Sequence, residues 1–144
     1  MNLQQLQDKI EIQELLARYA RGVDTKDWEV FKAVFTPDAV LDYSSAGIPA
    51  GTRDEIARTF EQAFVAIPMA QHFITNVEVD LDGDRAKVRA MFYNPMQLPG
   101  MTEQSSCGGT YHHDMVRTAD GWKSEKVVEE NLWFLNPPSP APGG

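Results

Sequence analysis

Cysteine is almost missing from this chain. Among 144 residues only Cys107 is present, which excludes an internal disulfide framework and any multi-cysteine zinc site. Basic residues are scarce as well. Thirteen Lys and Arg stand against twenty-one Asp and Glu, a formal net charge of −8 with no basic cluster. Such a chain is poorly matched to nucleic acid or to an anionic membrane surface. No apolar run approaches the roughly 20 residues of a membrane span. The polar, periodic N-terminus MNLQQLQDKIEIQELL lacks the basic stretch and apolar run of a signal peptide, so the expected compartment is the cytoplasm. There is no GxGxxG fingerprint, P-loop, GxSxG elbow or HExxH pair, and no cofactor is expected.

What is present is ordinary globular material, 42% hydrophobic, enough to build a core. Apolar residues at Leu3, Leu6, Ile10, Ile12, Leu15, Leu16, Tyr19 and Val23 recur mostly at intervals of three or four, the signature of an amphipathic helix. A short second helix presents Trp28, Phe31, Val34 and Phe35 and closes at Thr36-Pro37-Asp38. A β-prone stretch from Ala39 to Tyr43 follows. Thr52 and Glu55 have capping-box spacing and open a third helix that buries Ile56, Phe60 and Phe64. From residue 70 the period becomes two. Strands are expected over 71–80 and 85–93 around Asp82-Gly83-Asp84, then over 104–118 and 122–135 around Asp120-Gly121. Helices first and strands afterwards indicate an α+β fold, a curved, mainly antiparallel sheet wrapped round three helices to leave a pocket for a small, largely apolar ligand. One domain is expected over 1–136, with an irregular Pro/Gly-rich tail over 137–144.

Only three histidines are available for chemistry. His72 shares one strand face with Ile74 and Asn76, while His112 and His113 are adjacent and point to opposite faces, so one of that pair at most joins His72 in a pocket. Asp24 follows the first helix, where the macrodipole disfavours a carboxylate. His72, one of the paired histidines and Asp24 could also be drafted as a two-histidine, one-carboxylate metal set, although no ligand spacing supports it and no metal is expected.

The stretches Leu15–Trp28, Val40–Tyr43, Gln71–Asn76, Gly108–Tyr111 and Asp120–Lys123 resemble the SnoaL-like branch of the NTF2-like superfamily, nearest the scytalone dehydratase, bile-acid 7α-dehydratase and hexachlorocyclohexane dehydrochlorinase group. The resemblance covers residues 5–135. It implies an α+β cone with the active site inside and a homodimer or homotrimer. It also implies a catalytic dyad of Asp24 and His72, with Tyr43 polarising a substrate carbonyl and Tyr19 and His112 (or, with a slip of one in the alignment, His113) binding substrate. Asn76, on the strand face of His72, is expected to bind substrate beside them. The chain departs from these relatives at three points, one of them Tyr19 or Ala20 where the dehydrochlorinase has a lysine near the end of its first helix. Asn94-Pro95-Met96-Gln97 stands where scytalone dehydratase has a second histidine, and Val127 or Val128 stands where the dehydrochlorinase has arginine.

The expected activity is a cofactor-independent lyase or isomerase that removes a proton from carbon in a small hydrophobic ring. His72 would be the base and Asp24 its orienting carboxylate. The alternatives are a ligand-binding or accessory module without turnover, and an epoxide hydrolase drawing on Arg89 and Asp114.

Overall fold

The computed structural model describes residues 1–138. The rest of the expected Pro/Gly-rich tail, from Ser139 on, lies outside the described residues. Helix α1 spans Leu3–Asp24 and is opened by a reciprocal cap. The Asn2 side chain accepts from the Gln5 amide at 2.8 Å and the Gln5 side chain accepts from the Asn2 amide at 2.9 Å. Helix α2 is Trp28–Ala33, and α3 is Arg53–Phe64 with Thr52 accepting from the Glu55 amide at its start. Among the described residues seven strands follow in chain order as β1 Phe35–Asp42, β2 Gly51–Thr52, β3 Met69–Ala70, β4 Phe73–Asp82, β5 Arg85–Gln97, β6 Ser105–Thr118 and β7 Gly121–Leu135.

The strands make one curled sheet in the order β2-β1-β7-β6-β5, with β3 and β4 both on the far edge of β5. All pairings are antiparallel except β1 with β7. The helices fill the concave side. Ile12, Leu16, Phe31, Phe35, Leu41 and Val127 are fully enclosed there. Burial alternates residue by residue along most of β5, as a strand with one covered face requires. No helix among the described residues is long and apolar enough to cross a membrane.

Three expectations need correction. Strand β1 begins at Phe35, so the stretch expected to close the second helix is extended instead. Phe35 pairs with Ser124, and the ladder is irregular until Val40 pairs with Lys126, which lets Pro37 sit where no amide is needed. The first turns of α1 present Asp8 and Ile12 to the sheet, leaving Leu3 and Ile10 on the exposed face. The bulge in β4 between Thr75 and Glu78 puts Asn76 in a left-handed conformation at φ 51° and turns it to solvent.

Helix α1 is fastened to the last hairpin by a buried carboxylate. Asp8 accepts from both terminal nitrogens of Arg117 at 2.8 and 2.9 Å, from the Trp122 indole at 3.1 Å and from Gln4 at 2.9 Å. The Arg117 hydrogen bonds hold its carboxyl well below the usual range, against the opposing effect of burial. Glu11 accepts from the Trp122 amide at 2.7 Å. On the convex side Phe73, Tyr93 and Trp133 form an exposed apolar row. The Tyr93 and Trp133 rings meet across Gly108, where a Cβ would come within 2.5 Å of the indole.

Candidate active site

Asp24 is the last residue of α1. The Thr25 amide and hydroxyl both return to the Arg21 carbonyl, at 2.9 and 2.6 Å, and Lys26 at φ 58° turns the chain away. The carboxylate is thereby held at the negative end of the helix. His72 lies between β3 and β4, where the Gln71 amide donates to the Pro95 carbonyl at 3.0 Å and keeps the segment against β5.

The two residues meet twice. The His72 backbone N–H donates to Asp24 Oδ2 at 2.8 Å, and ring Nδ1 lies 2.6 Å from Oδ1. Both side chains are largely buried, at 7% and 18% exposure for His72 and Asp24. A carboxylate can only accept, so in the neutral ring Nδ1 carries the proton and Nε2 keeps its lone pair. One carboxylate thus fixes both the position and the tautomer of the imidazole.

Tyr19 projects from α1 into the same interior and Tyr43 enters from the end of β1. Their hydroxyls are 2.7 Å apart, and burial raises both phenols well above their ordinary range. Tyr111 stands edge-on to Tyr19 at 5.3 Å between ring centroids and stacks on Phe92 at 4.5 Å. The Tyr pair has one hydroxyl proton more than its mutual bond uses, and that proton can be donated to a ligand oxygen.

The paired histidines divide in the opposite sense from the expectation. His112 points outward, exposed, with Nε2 3.2 Å from the Glu130 carboxylate. His113 points inward, with Nδ1 2.8 Å from the Ser124 hydroxyl and Nε2 buried without a partner among the described residues. Burial pushes its pKa down to about 3. The strand register fixes this division, because His113 pairs with the fully buried Val127 and shares its face. Asn76 likewise faces solvent, for the bulge described above. Arg89 and Asp114 are occupied in surface ion pairs, with Glu78 and Lys87 respectively, and do not meet Asp24. Among the described residues no three His, Cys, Asp or Glu side chains gather as a metal set.

One interior group had no place in the sequence reading. Glu129 on β7 is paired through its Cα with Tyr111. Ser45 clamps the adjoining backbone, donating to the Glu129 carbonyl at 2.6 Å and accepting from the Asn131 amide at 2.9 Å. Burial raises the Glu129 pKa, while the Asn131 side chain and His72 pull it down. Its signal was present all the same, since stepping by two from Val127 gives Glu129.

The sequence matches the SnoaL-like domain family over residues 4–128. The uncharacterized protein Rv2910c of Mycobacterium tuberculosis is 35% identical over 130 residues, 90% of this chain and 88% of that one. Two solved structures share the fold at lower identity. A candidate scytalone dehydratase from Novosphingobium aromaticivorans superposes with a TM-score of 0.85 at 19% identity, covering 95% of this chain and 92% of its own. The hexachlorocyclohexane dehydrochlorinase LinA-type3 from Novosphingobium barchaimii gives 0.82 at 18%, covering 93% and 92%. With its helices enclosed by a curled sheet and its sequence matched over most of its length, the chain belongs to the SnoaL-like domain family.

Proposed function

We propose that the protein is a cofactor-independent lyase or isomerase of the dehydratase type. His72 Nε2 takes a proton from carbon in a small hydrophobic ring substrate, adjacent to a carbonyl. Asp24 holds the other nitrogen and stabilises the imidazolium that forms. The free proton of the Tyr19–Tyr43 pair is donated to the developing enolate oxygen, in a low-dielectric setting where such a bond is strong. Loss of a β substituent completes an elimination, and return of the proton elsewhere completes an isomerisation.

The observation that carries this reading is the double hold of Asp24 on His72, through backbone N–H and ring Nδ1. A histidine kept only for packing has no need of a fixed tautomer. The likeness to dehydratase and dehydrochlorinase structures supports a lyase-like or ligand-binding role for the fold. Cyclic ketones such as 1-tetralone in D₂O give the direct test, because α-proton exchange reports carbon deprotonation whatever follows it. The protein is expected to accelerate exchange, and His72→Ala to lose on the order of 10²–10⁴-fold. A loss below about tenfold would remove His72 from the chemistry. Tight ketone binding without exchange would make the fold a binding module.

The exposed row of Phe73, Tyr93 and Trp133 supports a homodimer or homotrimer closed over the convex face of the sheet. Light scattering on wild type and Trp133→Lys tests this. A monomeric mass for the wild type would overturn it.

A further inference from the structure

We propose that Glu129 is the general acid of this interior, protonating the oxygen that leaves an uncharged, hydroxylated ring substrate. The inference rests on the proton-abstraction reading above and deepens it.

The placement comes first. Glu129 shares the inward face of β7 with Val127, and its backbone is pinned to the turn after β1 by Ser45. The residue is half-buried, and its Oε1 is enclosed with no hydrogen-bond partner among the described residues. No Lys or Arg pairs with its carboxyl among the described residues. The titratable groups that feel it come from four other parts of the fold. They are His72 before β4, Tyr19 on α1, Tyr43 after β1, and Cys107 and Tyr111 on β6.

A carboxylate taken out of water with neither a cation nor a full set of donors is costly, and the usual escape is to bind a proton. The raised pKa of Glu129 is caused first by burial and agrees with this. A protonated carboxyl in this position is a donor. It supplies what an elimination from a β-hydroxy ketone otherwise lacks, because hydroxide is a poor leaving group without a proton.

The step balances. His72 Nε2 takes the α-proton, and the C–H electron pair moves onto the carbonyl oxygen as an enolate held by the tyrosine pair. That pair then returns to form the C=C bond as the C–O bond breaks, and the departing oxygen takes the Glu129 proton to become water. His72 is left protonated and Glu129 ionised, and passage of one proton from imidazolium to carboxylate resets both. No oxidant or reductant is involved.

Charge defines the substrate class. A carboxylate-bearing ligand would place an anion beside Glu129 as Glu129 itself ionises, with no Lys or Arg paired to that carboxyl among the described residues. A hydroxyl, by contrast, is both acceptor and donor. A second buried acceptor without a partner among the described residues, Asn94 Oδ1, belongs to the side chain whose amide donates to Cys107 Sγ at 3.8 Å. It suits a further hydroxyl on the same ring.

Two matched probes separate the acid from the base. One is 3-hydroxycyclohexanone; the other is 3-(4-nitrophenoxy)cyclohexanone, whose phenolate leaves without protonation. Glu129→Gln keeps the shape of the side chain and cannot deliver a proton to the leaving oxygen. It is expected to lose about 10²-fold or more on the hydroxy ketone and to stay within about threefold of wild type on the nitrophenoxy ketone, while His72→Ala loses both. Equal effects of Glu129→Gln on the two probes would overturn the acid role and leave proton abstraction standing. A wild type no faster than buffer on either, or an unaffected His72→Ala, would overturn the abstraction reading and the acid with it. A readout free of turnover is the ¹³C titration of the Glu129 δ-carbon in the full chain, assigned by its loss in Glu129→Gln. A midpoint within the ordinary glutamate range would overturn the acid role whatever the kinetics.

Discussion

Replacing Asp24 with asparagine should disable the protein more thoroughly than replacing it with alanine, and the geometry says why. The His72 backbone N–H sits 2.8 Å from Asp24 Oδ2 and can only donate. In Asp24→Asn the side-chain oxygen must therefore occupy the Oδ2 position. The amide nitrogen then faces His72 Nδ1, where the 2.6 Å contact was made. An amide N–H cannot accept, so Nδ1 must give up its proton and Nε2 must carry it. The lone pair that would receive the substrate proton is gone. A catalytic histidine held in the wrong tautomer loses on the order of 10⁴ in rate, equivalent to about 5.4 kcal/mol of barrier. Asp24→Ala removes the orienting carboxylate but leaves the ring free to choose its tautomer, so its loss should be smaller, about 10²-fold. The assay needs no substrate at first. With only three histidines in the chain, a long-range ¹H–¹⁵N spectrum resolves each ring. Wild type should show His72 protonated at Nδ1 and Asp24→Asn should show it at Nε2. A proton on Nδ1 in both proteins, or α-proton exchange faster in Asp24→Asn than in Asp24→Ala, would refute the reasoning.

Three further outcomes follow from the same geometry. Asp8→Ala strands the Trp122 indole N–H and halves the partners of Arg117, which keeps Asp84 at 2.8 Å; the loss should be about 3 kcal/mol, or about 10 °C in Tm. Because the folded Asp8 pKa is depressed, that contribution is whole above the ordinary carboxylate range, and the gap between the two proteins should narrow as pH falls below about 4; a gap independent of pH would contradict it. His113 remains neutral in the fold down to about pH 3 while the unfolded chain protonates near 6.5. Stability measured in urea should therefore fall by up to about 1.4 kcal/mol per pH unit as pH drops below 6.5, a slope that His113→Gln should remove. Tyr43→Phe leaves the Tyr19 hydroxyl enclosed without its 2.7 Å partner and should cost about 1–3 kcal/mol in the same titration.

The sequence carried the helix starts and the strand hairpins because those depend on local chemistry. The Asp82–Arg85 hairpin and the Thr52 cap are set by three or four neighbouring residues. It also marked Asp24 and His72, 48 positions apart in the chain and adjacent in space, although only the family resemblance said that they should meet. What failed was register. The face on which His112 or His113 lies is fixed by which residue of β7 stands opposite, and nothing local encodes that. Asn76 was lost to a bulge, which breaks the period of two that placed it beside His72. Glu129 was hidden by its company, since Glu125, Lys126 and Glu130 around it read as a solvated strand. Leu3 and Ile10 show the opposite failure, apolar members of a periodic stripe that lie off the face which Asp8 and Ile12 present to the sheet.

The parallel pairing of β1 with β7 has a consequence for how the chain is made. The first strand of the sheet finds its main partner only in the last, and Asp8 near the start of α1 waits for Arg117 and Trp122. A ribosome releases these partners in the wrong order for stepwise assembly. The helices and β1 emerge with their apolar faces uncovered and stay so until synthesis nears its end. Such non-local closure is slow, and the waiting intermediate is exposed to aggregation. Chains terminated before β7 should therefore accumulate as insoluble fragments, and a carrier holding the N-terminal half during translation should raise the yield of the whole protein.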